Sequence, residues 1–501
     1  MSGVTRKRQL SPKSIFDEHE LRAFFTTHSV NNHHINSIYR HIVQNGARSF
    51  DEIPELPARI LPLLKKEFVL STSKVAERLD ASDGSTTKLV VELQDGQKVE
   101  TVIMRYGDVE LKSFPKEERE RRAKELEKEG KQFKSNRRAT VCLSSQVGCA
   151  MGCTFCATGT MGLLSNLSTG EIVEQLSEYP RILVKWRLQK AEALNITDDF
   201  LTTVHANDVE KIRNVVFMGM GEPLDNYDAV LGSIQAMINT SRFGLSPARI
   251  SVSTVGVVPR IQALMRDVPQ IGLALSLHAP TQELRQEIVP SSKSFSLSKI
   301  LAAVFAFIEN QNKANSSSPR HILIEYVLIE NINSSVEVAH QLGQLFAARV
   351  DRKDILVNII PYNPTDVIAA YEKPTPETLK EFVATVRSYG VHTLIRQELG
   401  QDIASACGQL VVKNQGIGKK LGGCDDEKEA KDLEDLVGAG KSVGAKPNVV
   451  KRTRKEDVKV EDTTDSSSDD KPAGMSIMTI AVAAVGLGLL SLAALRALKR
   501  K

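Results

Sequence analysis

The stretch "VCLSSQVGCAMGCTFCATGTMG", residues 141–162, holds four of the six cysteines of this 501-residue chain. Six cysteines are too few for a disulfide framework, so their clustering indicates metal or redox chemistry in a reducing, intracellular compartment. Cys149, Cys153 and Cys156 are separated by three and then two residues. A structural zinc site requires four ligands, usually in paired short spacings, and no fourth cysteine or histidine pair stands at such a spacing to complete one. Three thiolates on one loop instead suit a four-iron, four-sulfur cluster with one iron open to another ligand.

Short apolar runs alternate with amphipathic helical patterns over residues 139–412. The runs include "VVFMGMG", "ARISVSTVG", "QIGLALSLH", "HILIEYVLI", "ILVNIIPYNP" and "VHTLIRQE". This repeated order predicts parallel strands joined by crossover helices, an α/β fold that forms an open or closed barrel. Active sites of such barrels lie at the C-terminal ends of the strands. Because polar motifs follow these runs, we expect them to meet at that end.

The segment before the core has two parts. Residues 1–90 place apolar residues at helical spacing, as in "FDEHELRAFFTTHSV", and predict a small helical domain. Residues 91–138 lead to the core: "TKLVVELQDGQKVETVIMRY" alternates with period two about a Gln-Asp-Gly turn, which predicts a β-hairpin. A charged helix, "KEERERRAKELEKEGKQFKSNRR", follows. It is either a solvated surface or, through Arg137 and Arg138, an RNA contact.

The C-terminal part predicts a membrane anchor on a tether. Residues 413–472 are polar, charged and poor in aromatic residues, which predicts disorder. Residues 473–495 carry no charge, and at about 1.5 Å per residue they can span the roughly 30 Å core of a bilayer as a transmembrane helix. We expect a tail-anchored protein that faces the cytoplasm, and the short basic tail favours the mitochondrial outer or peroxisomal membrane. The alternative is a soluble protein of the cytoplasm or an organelle matrix, with the basic N-terminus as a transit peptide.

Residues near 185–211 and 311–319 have the composition of surface insertions.

The cysteine spacing, with Phe155 directly before Cys156, resembles the signature of the radical S-adenosylmethionine (SAM) superfamily. The resemblance implies a partial (βα)6 barrel, similar to a TIM barrel, in which Cys149, Cys153 and Cys156 bind a [4Fe–4S] cluster. It also implies that the open iron binds the amino and carboxylate groups of SAM, and that an injected electron cleaves SAM to a 5′-deoxyadenosyl radical. A flavodoxin- or ferredoxin-type protein would donate that electron.

Eight motifs between residues 12 and 412 extend the resemblance to one family. They are "RATVCLSSQVGCAMGCTFCATG", "VVFMGMGEPLDN", "ISVSTVGVVP", "ALSLHAP", "EIVPS", "IEYVLI", "IIPYNP" and "IASACGQL". In this order they resemble the RlmN family of dual-specificity RNA methyltransferases, which methylate adenosine at carbon 2 and are close kin of the Cfr methyltransferases. The resemblance implies an enzyme that uses two SAM molecules per turnover and modifies ribosomal RNA, transfer RNA or both. No periodicity in the sequence suggests an obligate oligomer, so we expect a monomer. The helical domain would recognise RNA, and the target nucleotide would be flipped into the barrel mouth.

Three residues match the catalytic residues of that family. Cys407 in "SACGQL" matches the methyl carrier, Cys142 in "ATVCLSS" the cysteine that resolves the enzyme–RNA intermediate, and Glu100 in "VETVI" the proton acceptor. Each also has an ordinary alternative. Cys407 could be a small buried side chain, Cys142 a part of a strand core, and Glu100 a surface charge of the hairpin.

Seven residues match the family's contacts with SAM. Two belong to the "GMGEP" turn, where glycine lets the backbone approach a ligand closely, and the others follow later apolar runs. They are Gly221, Glu222, Ser253, Ser276, Leu277, His278 and Asn363. Without the resemblance, His278 would more often be a hydrogen-bonded strand-end histidine than a ligand.

Two other functions are open at this point. A Cfr-type enzyme would use the same cluster and methyl carrier to methylate carbon 8 of adenine. A non-catalytic, membrane-tethered RNA-binding protein could keep the fold, although the complete set of cluster and catalytic residues argues against it. The formal net charge is only +4, so composition gives no sign of RNA binding.

Overall fold

A computed structural model describes residues 8–106, 138–176, 212–314, 320–365, 367, 370–396, 399–405 and 408–410. All of them belong to the first of two compact units, residues 1–419. The charged helix before residue 138, the tether and the predicted membrane segment lie outside the described residues, as do residues 185–211 and 315–319 of the two insertions. Within the described ranges, no helix is long and apolar enough to cross a membrane.

The strands of the described ranges are β1 (Lys13–Ser14), β2 (Phe68–Val69), β3 (Lys74–Asp80), β4 (Thr86–Glu92), β5 (Lys98–Tyr106), β6 (Arg138–Cys142), β7 (Gln146–Gly148), β8 (Leu163–Asn166), β9 (Ile212–Phe217), β10 (Ile250–Thr254), β11 (Gly272–Ser276), β12 (Ile322–Leu328), β13 (Ile355–Pro361) and β14 (Thr393–Ile395). Ten of them form one sheet in the order β14-β13-β12-β11-β10-β9-β6-β5-β4-β3, and β1 pairs with β2 and β7 with β8.

The α-helices in the same ranges are α1 (Glu18–Thr27), α2 (His33–Val43), α3 (Leu61–Glu67), α4 (Ala157–Thr160), α5 (described over 169–176), α6 (Tyr227–Ile238), α7 (Val258–Asp267), α8 (Gln282–Ile288), α9 (Leu297–Ala314), α10 (Val336–Ala347) and α11 (Pro376–Ser388). At least one helix follows each of the strands β9 to β13, as crossover connections between parallel strands require.

The parallel half of the sheet comprises β6 and β9 to β14, and it confirms the predicted α/β fold. The described strands number seven rather than the six of a (βα)6 core, because the run "VHTLIRQE" adds the three-residue strand β14 at one edge. Buried side chains of these strands, among them Val141, Val252 and Ile324, form the main hydrophobic core with the crossover helices. The order of the strands is linear, so this sheet is open in the described part of the chain.

The antiparallel half of the sheet is built from β3, β4 and β5. The predicted hairpin is present: Glu92 of β4 pairs with Lys98 of β5 across the turn that contains Gly96. β3 pairs with β4 and was not predicted, since most of its side chains are exposed and it lacks apolar alternation. β6 joins the two halves, because it is antiparallel to β5 on one side and parallel to β9 on the other.

The helices α1, α2 and α3 form a second hydrophobic core at the N-terminus. Its buried aromatic residues include Phe16, Phe25 and Tyr39, and Val173 of α5 belongs to the same cluster. Arg242, which follows α6, lies over the Tyr39 ring with 4.4 Å between the guanidinium carbon and the ring centroid. The N-terminal helices therefore share packed surfaces with helices of the α/β core.

Candidate functional site

The three clustered cysteines lie on the loop of a small hairpin formed by β7 and β8. The backbone N–H of Cys149 donates to the carbonyl of Gly162 at 2.9 Å, which closes the base of the loop. Gly148 has a φ of 73°, and a Cβ there would lie 1.9 Å from the Gly162 carbonyl oxygen. Glycine is therefore required at this position, and the closed base fixes where the loop begins and ends.

Cys149, Cys153 and Cys156 all line one cavity. Burial raises the pKa of the Cys149 thiol to about 12, and burial and the neighbouring Cys156 and Cys149 thiols raise the pKa of Cys153 well above its usual value. Among the described residues, no three Cys, His, Asp or Glu side chains converge closely enough to hold one metal ion. In a four-iron cluster each thiolate binds a different iron, so the ligands need not converge. Three thiols around one cavity thus fit a cluster better than a single zinc ion.

The cavity opens at the C-terminal ends of β9, β10 and β11, where the sequence predicts the site. Its empty volume, including the open mouth, is about 870 Å³. Eight of the predicted cluster and SAM residues line it: Cys149, Cys153, Cys156, Gly221, Glu222, Ser253, Ser276 and His278. Leu277 and Asn363 are not among the lining residues.

The turn after β9 brings Gly221 and Glu222 against the strand that leads to the cysteine loop. Gly221 has a φ of 99°, and a Cβ there would lie 2.5 Å from the Cβ of Gln146. Burial raises the pKa of Glu222 to about 7. Its carboxylate accepts from the backbone N–H groups of Leu224 at 3.1 Å and Val255 at 3.0 Å. Glu222 thus joins two of the loops that form the cavity wall.

His278 combines a structural bond with a place in the cavity lining. Its Nδ1 accepts from the backbone N–H of Val327 at 3.1 Å, so the neutral ring carries its proton on Nε2. Burial lowers the pKa of His278 to about 3, and its ring packs edge-on against Phe155 with 4.9 Å between centroids. Nδ1 thus forms the hydrogen bond expected of an ordinary histidine at the end of a strand. Nε2 is the nitrogen left to contact a ligand.

Of the four remaining predicted SAM contacts, two line the cavity and two do not. The hydroxyls of Ser253 and Ser276 lie 3.1 Å apart on the neighbouring strands β10 and β11. Leu277 packs in the core, and its backbone N–H donates to the carbonyl of Glu325. The Asn363 side-chain oxygen accepts from Gln401 at 3.0 Å. The described contacts therefore place the two serines at the cavity and assign Leu277 and Asn363 to its supporting structure.

Arg285 supports the cavity wall from behind, and sequence reasoning missed it. It lies on α8, is fully buried and donates to the carbonyls of Val255, Ser276 and Leu277. Burial lowers the pKa of Arg285 to about 10, while the Cys153 and Glu222 charges act in the opposite direction. In "QELRQEI" an arginine looks like an ordinary surface residue of an amphipathic helix, so the pattern gives no signal of burial.

Glu325 and Arg396 form a second missed group on the cavity wall. Glu325 is buried in β12, and its carboxylate accepts from the Asn358 side chain at 2.9 Å and lies 3.8 Å from Arg396. Burial raises the pKa of Glu325, and the Arg396 charge opposes the shift. The sequence does carry a signal here, since a single acid interrupts the apolar run "HILIEYVLI".

Glu100 and Cys142 lie on the sheet next to this cavity. Cys142 of β6 pairs with Val102 of β5, and Glu100 is two residues from Val102, so the two candidate residues face the same side. Glu100 is only 3% exposed, which rules out the alternative of a hairpin surface charge. Its carboxylate lies 3.3 Å from the Lys88 ammonium.

Cys407 lies outside the described residues, but residues on both sides of it are described. The carbonyl of Gly408 accepts from the backbone N–H of Ala157 at 2.8 Å, and the carbonyl of Leu410 accepts from the Thr158 hydroxyl at 2.6 Å. Ala157 directly follows Cys156 of the cysteine loop. Gly408 and Leu410 also line the cavity. The chain just after residue 407 is therefore bound to the helix that follows the third cluster cysteine.

Comparison with protein families identifies the core. Residues 143–312 match the radical SAM superfamily. This segment contains the cysteine loop and the strands β9, β10 and β11, which together form most of the cavity.

Individual relatives extend the similarity well beyond that segment. The ribosomal RNA large subunit methyltransferase N of Nitrosopumilus maritimus is 34% identical over 368 residues, which cover 72% of this chain and 88% of that protein. The probable dual-specificity RNA methyltransferase RlmN of Moorella thermoacetica is 36% identical over 375 residues, covering 74% and 89%. The crystal structure of a radical SAM methyltransferase from Sphaerobacter thermophilus matches with a TM-score of 0.62 and 30% identity, covering 80% of this chain and 99% of that one.

Proposed function

The chain belongs to the RlmN family of radical SAM RNA methyltransferases, and from this membership we propose that it forms 2-methyladenosine in ribosomal RNA, transfer RNA or both. The observation that carries the proposal is the binding of Gly408, next to Cys407, to Ala157, next to Cys156. It supports a methyl-carrying cysteine beside the cluster loop. The buried Glu100 and Cys142 support the remaining steps.

The cavity residues fit a cluster and SAM. Cys149, Cys153 and Cys156 would hold a [4Fe–4S] cluster, and Gly221 and Glu222 would hold the amino acid end of SAM, with the Glu222 carboxylate accepting from an N–H of its amino group. When bound, the cluster and two SAM molecules per turnover supply a methyl group and the radical that activates it. A radical route suits carbon 2 of adenine, which lies between two ring nitrogens and is too electron-poor to attack a methyl sulfonium.

Residues of the chain would carry out the other steps. Cys407 would carry the methyl group, and its carbon, after losing a hydrogen atom, joins adenine carbon 2. The adduct then holds one unpaired electron, which the bound cluster would take back, and Glu100 accepts the proton from carbon 2. The Cys142 thiolate then attacks the Cys407 sulfur: an S–S bond forms, the C–S bond breaks, and its electron pair remains on the departing carbon, which takes a proton to complete the methyl group. A cellular thiol must reduce the disulfide before the next turnover.

The partners follow from this chemistry. RNA must present an unstacked adenine at the cavity mouth, and the helical domain built from α1, α2 and α3 would contact its backbone. A flavodoxin- or ferredoxin-type protein would supply the electron, and we propose that the chain acts as a monomer.

The first test is a product assay. We would reconstitute the purified chain with iron and sulfide without air, add SAM, a reductant and total RNA, and identify the digested nucleosides by mass spectrometry. 2-Methyladenosine is the expected product. 8-Methyladenosine would assign the Cfr type, 5′-deoxyadenosine without a methylated base would contradict the RNA substrate, and the absence of both would favour a non-catalytic RNA-binding protein.

We also propose that residues 473–495 anchor the chain in an intracellular membrane, with the mitochondrial outer or peroxisomal membrane favoured. The uncharged length of the segment supports this. The test compares the full chain with a chain that lacks residues 473–501 by cell fractionation and alkaline extraction. The full chain should stay in the membrane pellet and the shortened one should not. Equal release of both would contradict the anchor.

A further inference from the structure

Lys88 is a buried lysine that neither the sequence motifs nor the family comparison assigns. It lies in β4 and is 6% exposed, although lysine is rarely buried without a partner. Its ammonium has two described contacts: it lies 3.3 Å from the Glu100 carboxylate and donates to the Ala404 carbonyl at 3.2 Å. Ala404 is three residues before Cys407. Lys88 therefore touches both the candidate proton acceptor and the segment that leads to the candidate methyl carrier.

The strand register puts Lys88 on the same face as the candidate catalytic residues. Lys88 pairs with Val102 on β5, and Val102 pairs with Cys142 on β6, so the three residues form one row across the sheet. Glu100 is two residues from Val102 and lies in the next row of that face. The ammonium therefore lies beside the proton acceptor and on the same face of the sheet as the resolving cysteine.

The segment that follows β14 is held against this face by a second bond. The backbone N–H of Ser82, at the turn between β3 and β4, donates to the Asp402 carboxylate at 2.7 Å. With the Lys88–Ala404 bond, this fixes residues 402 and 404 relative to the antiparallel half of the sheet. Beyond residue 407, Gly408 is bound to the cysteine loop.

We propose that Lys88 is a positioning residue for the removal of the carbon 2 proton. Its ammonium favours the charged, proton-accepting form of the Glu100 carboxylate and orients it. The bond to Ala404 holds the ammonium in place, while the bond of Ser82 to Asp402 keeps residue 402 against the sheet without Lys88. The inference rests on the proposed function, because it assigns Lys88 to one step of that reaction. Loss of Lys88 should impair proton removal and spare the steps that precede it.

The test compares Lys88→Met with the wild-type full chain, each loaded with cluster and SAM. Methylation of Cys407 without RNA, measured by peptide mass spectrometry, should be unchanged. With RNA, 5′-deoxyadenosine should still form, 2-methyladenosine should fall by about tenfold or more, and a covalent protein–RNA adduct should accumulate on denaturing gels. The adduct accumulates because Cys142 cannot release the base until the proton has left.

Two further variants separate position and charge from simple folding effects. Lys88→Arg keeps the charge and should restore a substantial part of the product. Lys74→Met is the matched control, since Lys74 forms an exposed ion pair with Glu92 at 2.9 Å on the same sheet and should leave product and adduct unchanged. If Lys88→Met does not fold, Lys88→Gln keeps one donor for Ala404 without the charge and serves in the same comparison.

Two outcomes would overturn the inference alone. One is wild-type product yield from Lys88→Met; the other is parallel loss of Cys407 methylation and product, with no adduct, which would indicate a purely structural role. A wild-type chain that makes no 2-methyladenosine would overturn the proposed function and this inference with it.

Discussion

At the scale of the residue, the cavity is held by bonds to the backbone. The carboxylate of Glu222 accepts from two backbone N–H groups, His278 accepts from one, and the Arg285 guanidinium donates to three carbonyls. Buried polar groups cost free energy unless they are paired, and backbone partners belong to elements that cannot rotate away. These side chains are therefore fixed before a ligand binds.

His278 gives a prediction about pH. Its pKa is about 3 in the folded chain and 6.5 ordinarily, so the unfolded chain binds more protons between these values, and stability should fall as pH drops below 6.5. The slope from this residue is about 1.4 kcal/mol per pH unit at most. His278 has a φ of 61°, a conformation that asparagine tolerates, and in His278→Asn this slope should vanish. Urea unfolding of both proteins at pH 7.5 and 5.5 measures it; the same pH dependence in both would contradict the buried neutral ring.

Gly221 gives a prediction about close packing. An added Cβ would lie 2.5 Å from the Cβ of Gln146, in a backbone conformation that disfavours side chains, so Gly221→Ala should weaken SAM binding at least tenfold and lower the Tm. Gly96→Ala is the control, because Gly96 also has a positive φ of 80° but no atom within 4 Å of its Cβ position. Calorimetric titration with SAM measures the difference. Gly96→Ala should bind SAM like the wild type, and equally tight binding by Gly221→Ala would contradict the prediction.

At the scale of the element, the sequence predicts those features whose residues lie close together along the chain. The three cluster cysteines lie on one loop, so their spacing alone indicates a cluster, and the alternation about Gly96 predicts the hairpin. Lys88, Arg285 and Glu325 depend on contacts between distant segments, and their own neighbours in sequence resemble ordinary strands or helices. Of these, only Glu325 breaks an apolar pattern. Contacts with distant segments, which periodicity does not give, decide the role of Lys88 in β4 and of Arg285 in α8.

The start of α5 gives a prediction about the contact between elements. A Cβ on Gly170 would lie 2.3 Å from the Cβ of Ser14 in β1, so Gly170→Ala should destabilise the chain by about 1–3 kcal/mol, although alanine favours helix. Adding Ser14→Gly removes the nearest atoms and should recover part of the loss. Thermal unfolding of the single and double variants measures it. No recovery in the double variant would show that Ser14 is not the obstacle.

At the scale of the whole molecule, buried acids join the N-terminal helices to the core. Asp17 precedes α1, and its carboxylate accepts from the backbone N–H of Gly170 at 2.6 Å. Glu174 of α5 accepts from the hydroxyls of Ser14 and Ser73. Because these bonds cross from one hydrophobic core to the other, we expect both cores to unfold together.

Asp17 predicts how this junction responds to pH. Burial raises the pKa of Asp17 from 3.8 to about 6, so the folded chain binds more protons than the unfolded chain between these values. The residue's contribution to stability therefore falls as pH rises through this window, and its cost is complete above pH 6. Asp17→Asn keeps an acceptor for Gly170 without the charge. It should stabilise the chain at pH 7.5 relative to pH 4, by up to about 3 kcal/mol.

Denaturant unfolding at the two pH values measures this difference. The exposed Asp51→Asn, whose partner is Lys65 on the protein surface, is the control and should show little change with pH. If Asp17→Asn changes the free energy of unfolding equally at both pH values, the raised pKa of Asp17 is contradicted.

At this scale, the sequence pattern does not predict how distant strands pair. The order of the motifs predicts an α/β core, but not that β6 is the strand where the sheet changes direction, nor that the third antiparallel strand lies inside the predicted helical segment. Both depend on pairing between strands that are distant or have little apolar pattern. The family resemblance indicates the reaction. Only the fold shows that Lys88, Glu100 and Cys142 lie on one face of the sheet.

The bonds of Ser82 with Asp402 and of Lys88 with Ala404 join residues 320 and 316 positions apart. During translation the cysteine loop, Glu100 and Cys142 all leave the ribosome long before the partner segment is made. A nascent chain that has reached residue 390 holds the loop and most of the sheet, yet lacks the segment that leads to Cys407. On the role proposed for Cys407, methyl transfer can therefore begin only after nearly all of residues 1–419 have been synthesised.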